Sequence, residues 1–340
     1  MKTLRIIQAG LGAMGSGWFR TIANTPGIET IACVDTNQAA LDKLVQAGQI
    51  ADTHCYTTFA DALEHEQADA VLIATPPDLH EPVCVQAAAA GLHILCEKPL
   101  ADTLEAATRM TLAAEQAGVV LMVAQNRRHN PFIHTLTRLV QAGEYGPPGQ
   151  VFVTFRQIFT RDSFRDTMAH PLLIDMANHH FDTIRCVLGQ EPAGVMGTAW
   201  NPAWSRFEGD ASAMIVFDYA SGLRVVYEGT WHAIDVDMTA NGCDWRIECA
   251  GGVYACKADV VYAGPKGDSA SGSLGSPLQP VPMVEMSHQA GAYLLDEFMT
   301  AIREGKSPQT TGRDNLRTLA MVFAAVEAVN SGRRITVDSP

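Results

Sequence analysis

Basic side chains are scarce in this chain: 24 Lys+Arg stand against 37 Asp+Glu among 340 residues, a formal net charge of -13. Nucleic acid and anionic membrane surfaces both demand a basic footprint, so neither is expected as a partner. Long apolar runs are missing too. No stretch approaches the roughly 18 uninterrupted apolar residues of a membrane span. The apolar start is broken at once by Gln8, Gly10, Gly12 and Gly15, which leaves no signal-peptide core. The eight cysteines include no Cys-x-x-Cys pair and no zinc-like spacing. Several, such as Cys33 within Ile31-Ala32-Cys33-Val34, sit in apolar runs where a free thiol packs as a small hydrophobe. Reduced thiols predict a cytoplasmic setting. Disorder is excluded as the main theme, because 47% of the residues are apolar and can bury a core. The length suits two domains.

What is present falls into two textures. Up to about residue 125, short β-rich runs (4–9, 28–34, 70–74, 93–96, 119–124) alternate with Ala-rich helical stretches (37–47, 80–90, 103–117). That alternation predicts βαβ units and a doubly wound parallel sheet. Asn37 and Thr103 stand where N-caps belong, and Gly48, Gly91 and Gly118 where helices stop. From about residue 150, longer alternating runs (151–160, 211–219, 223–231, 245–250) predict a large open, mostly antiparallel sheet. Helices are expected near 171–188, 287–304 and 313–330. The division is therefore 1–125, a dinucleotide-binding domain, and 126–340, an α+β substrate-binding domain. Residues 263–282, rich in Gly, Ser and Pro, read as a surface loop.

Gly10-Leu11-Gly12-Ala13-Met14-Gly15 is a Gly-x-Gly-x-x-Gly that follows a strand and opens a helix. Gly10 makes the tight turn, Gly12 lets a pyrophosphate approach backbone N–H groups, and Gly15 permits close helix–strand packing. Asp35 ends the second strand, where a carboxylate accepts hydrogen bonds from the adenosine ribose. It repels a 2′-phosphate, and Thr36 and Asn37 supply no cation to hold one. NAD is therefore the expected cofactor, with NADP possible.

Two further motifs carry chemistry. Glu97-Lys98-Pro99 lies at the carboxyl end of a strand, the edge where open parallel sheets bind ligands. Asp175 and His179, with Asp182, recur at i, i+4, i+7 on one helical face, and a carboxylate one turn from a histidine raises its basicity. His180 points about 100° away and reads as structural. A rival reading groups Asp175, His179, His170 and His180 around a metal. Hydride transfer needs no metal, so none is expected.

These residues together resemble the Gfo/Idh/MocA family, the relatives of glucose–fructose oxidoreductase and inositol dehydrogenase. Thr75-Pro76-Pro77 with His80, and Arg127-Arg128-His129-Asn130-Pro131 at the domain junction, are similar as well. The resemblance covers essentially the whole chain. It implies a Rossmann domain followed by an α/β domain on a large sheet, and oxidation of a sugar or cyclitol hydroxyl with NAD(P). It implies Lys98, Asp175 and His179 as the catalytic set. Along the cofactor it implies Gly10, Gly12, Ala13, Met14, Asp35, Thr36, Thr75, Pro76, His80, Glu97, Lys98 and Gln125. The chain departs from the family at Ala169-His170-Pro171-Leu172-Leu173-Ile174, where many relatives carry glycines, and at Ala177. Those departures alter the wall beside the substrate.

On this reading the hydroxyl proton passes to His179 or Lys98, and Asp175 orients His179. Two other classes stay open: a glycoside-cleaving enzyme that uses transient NAD redox, and a dinucleotide sensor without catalysis. Arg156 and Arg165 are candidates to meet a substrate carboxylate or to close salt bridges. Trp200, Trp204 and Trp231 are candidates to stack on a sugar ring or to pack in a core. Residues 126–165 hold six arginines (127, 128, 138, 156, 161, 165) against Glu144 and Asp162, so the site region is locally basic and acidic sugars belong on the substrate list. A large sheet with an uncovered face also predicts a homodimer or homotetramer.

Overall fold

A computed structural model describes residues 2–160, 163–234, 237–240, 242–267, 277–288 and 290–338. The chain divides into two compact units, Met1–Asn126 with Ser287–Leu316, and Arg127–Met286 with Arg317–Pro340.

The first unit is built on β1 (Leu4–Ala9), α1 (Ala13–Ala23), β2 (Ile28–Val34), α2 (Gln38–Gln46), β3 (Cys55–Tyr56) and α3 (Phe59–His65). It continues through β4 (Ala70–Ile73), α4 (His80–Ala89), β5 (His93–Cys96), α5 (Leu104–Ala117) and β6 (Leu121–Val123). The six strands run parallel in the order β3-β2-β1-β4-β5-β6. β4 is buried at every residue, as a strand covered on both faces must be. The helix punctuation follows local chemistry. Asn37 accepts from the Ala39 N–H, Thr103 accepts from the Ala106 N–H, and Gly118 stops α5 at φ +67°.

The second unit opens with α6 (Pro131–Ala142), β7 (Pro148–Arg156), α7 (Ala177–Leu188), β8 (Gly194–Trp200), β9 (Ser212–Asp218) and β10 (Arg224–Thr230). It goes on to β11 (Asp244–Cys249), β12 (Gly252–Lys257), β13 (Val260–Pro265) and β14 (Gln279–Pro280). Two helices, α8 (Ala290–Glu304) and α9 (Gly312–Ser331), and the short β15 (Ile335–Thr336) complete the chain. The nine-stranded sheet is ordered β14-β13-β12-β11-β7-β10-β9-β8-β15. Among its pairs only β10 with β7 is parallel. Its inner face packs Val151, Val153, Phe155, Ile215, Phe217 and Tyr227 against Phe132, Phe181, Ile184 and Val187. The alternate residues point outward. Phe152, Val226, Val216 and Met196 are register neighbours there, and Phe152 and Met196 are exposed.

Two features depart from the sequence reading. α8 lies in the first unit, where Leu294, Leu295, Phe298 and Met299 join Trp18, Ile22 and Leu72 in one core. Its end is tied down by Arg303 Nη2 donating to the Gly27 carbonyl at 2.8 Å. Each fully buried apolar side chain of that size contributes about 1.5–3 kcal/mol. The division at residue 125 places this segment with the second part of the chain, because nothing local in an amphipathic helix names the sheet it covers. The proposed surface loop 263–282 is also corrected at its ends. Ala263–Pro265 finish β13, and Tyr262 and Ala263 pair with Pro280 and Gln279. Residues 268–276 of that loop lie outside the described residues, as do Arg161 and Asp162 of the basic stretch.

Candidate active site

The glycine loop forms the turn between β1 and α1. Gly10 has φ +97°, and a Cβ there would lie 2.5 Å from the Ala74 carbonyl. A Cβ on Gly15 would lie 2.8 Å from the carbonyl carbon of Gly10 and closer still to its oxygen. Both glycines are therefore required by packing. Gly12 differs, since a Cβ there meets nothing within 4 Å. It opens α1 as an exposed N-cap with no side-chain cap, and no acid stands in the first turn. Ala13 and Met14 are exposed beside it. Open N–H groups at a positive helix end are a cradle for a diphosphate. Asp35 stands beside the loop, with Oδ2 accepting from the Leu11 N–H at 2.7 Å and Oδ1 from the Asn37 N–H at 2.8 Å. Its carboxylate is thereby fixed at the end of β2, and Thr36 after it is exposed. These residues fit a dinucleotide.

That contrast yields an expected result. Gly12→Ala keeps its melting temperature while its NAD dissociation constant rises on the order of tenfold or more, read by calorimetric titration. Gly10→Ala loses folded protein instead, because backbone rather than a flexible side chain stands in the way.

Gln8, which the sequence reading passed over, holds this loop from below. Its buried Nε2 donates to the carbonyls of Gly10 at 3.2 Å and Gly15 at 2.8 Å. A polar residue inside the apolar run Leu4–Ala9 was the signal available for it.

At the carboxyl edge of β4 and β5 the sequence-predicted residues divide into two layers. Glu97 is buried, accepting from the Trp18 indole at 2.6 Å and from the Lys98 N–H at 3.0 Å. It therefore anchors α1 and the backbone at Lys98. His80 is buried as well. Its Nε2 faces the Thr75 carbonyl at 2.9 Å, and its Nδ1 faces the carbonyls of Pro99 and Leu100, each at 3.1 Å. The ring clamps two ligand-edge loops together, and burial pulls its pKa below the usual imidazole value. The Lys98–Pro99 bond within this clamp is cis. The upper layer holds Thr75 and Pro76. Pro76 is exposed, and the Thr75 hydroxyl oxygen is buried without a partner, an acceptor and donor still to be satisfied. Gln125 is buried at the end of β6, its N–H donating to the Val123 carbonyl at 2.8 Å.

The second unit carries Asp175 and His179, both buried. The expected helix over 171–188 opens instead with a π turn at Leu172–Met176, and α7 begins only at Ala177. Asp175 lies in that turn and His179 in the first turn of α7. Wide turns of this kind recur at functional sites. Arg165 donates to both Asp175 oxygens, Nε at 2.7 Å and Nη2 at 3.3 Å. The Phe164 ring lies 4.6 Å under its guanidinium carbon, with Phe159 and Trp231 also within reach. Of the two options for Arg165, the structure shows the salt bridge. Arg156, the last residue of β7, likewise reaches Glu228 at 3.2 Å. Trp231 is a core residue, whereas Trp200 and Trp204 are exposed.

The rival metal grouping is not assembled. His170 meets Asn330 at 3.0 Å and Asp210 at 3.2 Å, and His180 Nδ1 meets the Tyr227 hydroxyl at 2.9 Å. Among the described residues, no three His, Cys, Asp or Glu side chains are placed to hold a metal. Asp182, expected on the same helical face as Asp175 and His179, is turned into the core. There it accepts from Arg128 Nε and Nη2, each at 2.6 Å.

Comparison with known proteins identifies the family. The oxidoreductase family model with the NAD-binding Rossmann fold matches residues 4–125, and the GFO/IDH/MocA C-terminal domain matches residues 133–252. An uncharacterized protein of Sinorhizobium fredii is 30% identical over 98% of this chain and 96% of its own. D-apiose dehydrogenase of Paraburkholderia graminis is 28% identical over 100% and 91%. Inositol 2-dehydrogenase of Rhizobium meliloti is 27% identical over 98% and 99%. Among solved structures, an oxidoreductase from Agrobacterium radiobacter in complex with NAD+, L-tartaric acid and magnesium superposes with a TM-score of 0.87. That match covers 99% of both chains at 20% identity and speaks for the fold alone. No described helix is long and apolar enough to cross a membrane. With a cradle for NAD, a lysine at the ligand edge and both family domains matched, the chain belongs to the Gfo/Idh/MocA oxidoreductase family and is an NAD(P)-dependent dehydrogenase.

Proposed function

We propose that this dehydrogenase oxidises a hydroxyl of a small sugar, sugar acid or cyclitol with NAD, and reduces the matching ketone in reverse. The observation that carries the reading is the placement of Lys98. Its backbone is fixed by Glu97 at the carboxyl edge of the same parallel sheet whose first βα turn is the glycine loop. Relatives named for a sugar and for a cyclitol substrate, each matched along nearly the whole chain, support the substrate class.

When bound, NAD supplies the carbon that accepts hydride. The N–H groups of the first turn of α1 take the diphosphate, and Asp35 accepts from the ribose hydroxyls. The hydroxyl proton passes to Lys98 or to His179, the two candidates that the family resemblance implies. Asp175 stands one turn before His179, and Arg165 holds Asp175 in place. The carboxylate of Asp35, with no cation at Thr36 or Asn37, favours NAD over NADP.

The test is a screen of sugars, polyols and sugar acids with each cofactor, read as NADH or NADPH absorbance. At least one compound is expected to be oxidised, faster with NAD than with NADP. No reduction of either cofactor by any compound overturns the reading. Turnover of a glycoside without net NADH favours the redox-assisted glycoside cleavage instead. The outward apolar row of the second sheet, Phe152, Val226, Val216 and Met196, also supports pairing with a second copy of the chain. Sedimentation equilibrium is expected to give a multiple of the 36.6 kDa chain mass.

A further inference from the structure

We infer that Arg127 binds a carboxylate carried by the substrate, which makes an acidic sugar or polyol the preferred substrate. The inference rests on the dehydrogenase reading above and narrows its substrate class.

Other arginines of the second unit are already matched. Arg128 is spent on Asp182, Arg165 on Asp175, Arg185 on Glu191 and Arg206 on Asp166. Arg127 is different. Among the described residues it has no carboxylate within ion-pair distance. Its Nη2 meets the Met176 sulfur at 3.3 Å, and its Nη1 meets His180 Nε2 at 3.5 Å. A thioether is a weak acceptor, and neither it nor a neutral imidazole carries a charge to balance the guanidinium. The guanidinium is half-buried, and loss of water pulls its pKa below the ordinary value. Taking a cation out of water without an anion is costly, so such a group is retained where a ligand supplies the charge.

Its position points to which ligand. Met176 directly follows Asp175, and His180 directly follows His179, so Arg127 touches the turn of chain that carries the proposed catalytic pair. Asp175 and Asp259 influence it at longer range, but Asp175 is already clamped by Arg165. His180 is in turn held by the Tyr227 hydroxyl, which burial keeps protonated. With Arg127 donating to His180 Nε2, the Nδ1–H donates to the Tyr227 oxygen. That chain fixes the guanidinium plane and leaves its other N–H groups for a planar, bidentate acceptor. A carboxylate has that geometry, and a hydroxyl does not.

The experiment compares kcat/KM for matched acid and neutral pairs, namely uronic acids against aldoses and aldonic acids against alditols. In the wild-type enzyme at least one acid is expected to exceed its neutral partner by about 100-fold. In Arg127→Met that ratio is expected to fall on the order of 10- to 100-fold, and Arg127→Lys to keep part of it. A ratio near one in the wild-type enzyme overturns the inference and leaves the dehydrogenase reading standing. An unchanged ratio in Arg127→Met, with both activities lowered in proportion, assigns the residue a structural role and also overturns it. Failure of every compound to reduce NAD or NADP removes both readings together.

Discussion

Replacing Lys98 by Met is expected to lower turnover by about 10²–10⁴-fold while the NAD dissociation constant changes by less than about threefold. Methionine keeps the unbranched stem and fills similar space, so the change isolates the ammonium group. The surrounding frame is also held by contacts that do not use that group. The Lys98 N–H bonds to Glu97, Glu97 is held by Trp18, and His80 clamps the loops on either side. A charge worth several kcal/mol to a developing alkoxide is worth little to a ground-state cofactor held by α1 and Asp35. The variant therefore separates kcat from cofactor affinity, measured by stopped-flow turnover and by titration of NAD. Near wild-type turnover sinks the catalytic role of Lys98. A loss confined to NAD affinity moves the residue to the cofactor instead.

Local chemistry was legible in the sequence wherever a residue acts on its neighbours. Gly15, Asn37, Thr103 and Gly118 act within a few positions, and all stand where the pattern places them. Period-two runs located β7, β9, β10 and β11 to within a few residues, since one buried face enforces alternation, but β8, β12 and β13 were not read. What the sequence could not disclose were pairings at long range. The Trp18–Glu97 hydrogen bond spans 79 positions, and α8 returns to the first core after all but the last strand of the second sheet. Arg165 and Asp175 lie only ten residues apart, yet a π turn and a stack of aromatic rings decide that they meet. Gln8 shows the intermediate case. Its polarity within a buried strand was visible, and its acceptors were not.

Asp182→Ala is expected to destabilise the second unit by about 3–5 kcal/mol, because it takes the carboxylate away from a buried cation. Asp182 is 1% exposed and accepts from Arg128 twice at 2.6 Å and from the Thr318 hydroxyl at 2.9 Å. Arg185 is less dependent on it, keeping Glu191 at 2.8 Å and Thr318 at 2.9 Å. The cost therefore falls on Arg128, whose side chain is itself buried. At roughly 2–4 °C per kcal/mol for a unit of this size, the melting point should drop on the order of 10 °C. Salt should barely change that figure, since a pair shielded from solvent is screened far less than a surface one. Replacing both partners by apolar residues, Asp182→Leu with Arg128→Met, should recover much of the loss, because the buried charge is removed together with its carboxylate. A single mutant that melts within a degree or two of wild type shows the pair to be energetically idle. The position matters for function as well as stability. Asp182 lies three residues beyond His179 on α7, so the same pair that holds the helix in the core also holds the proposed proton carrier in place.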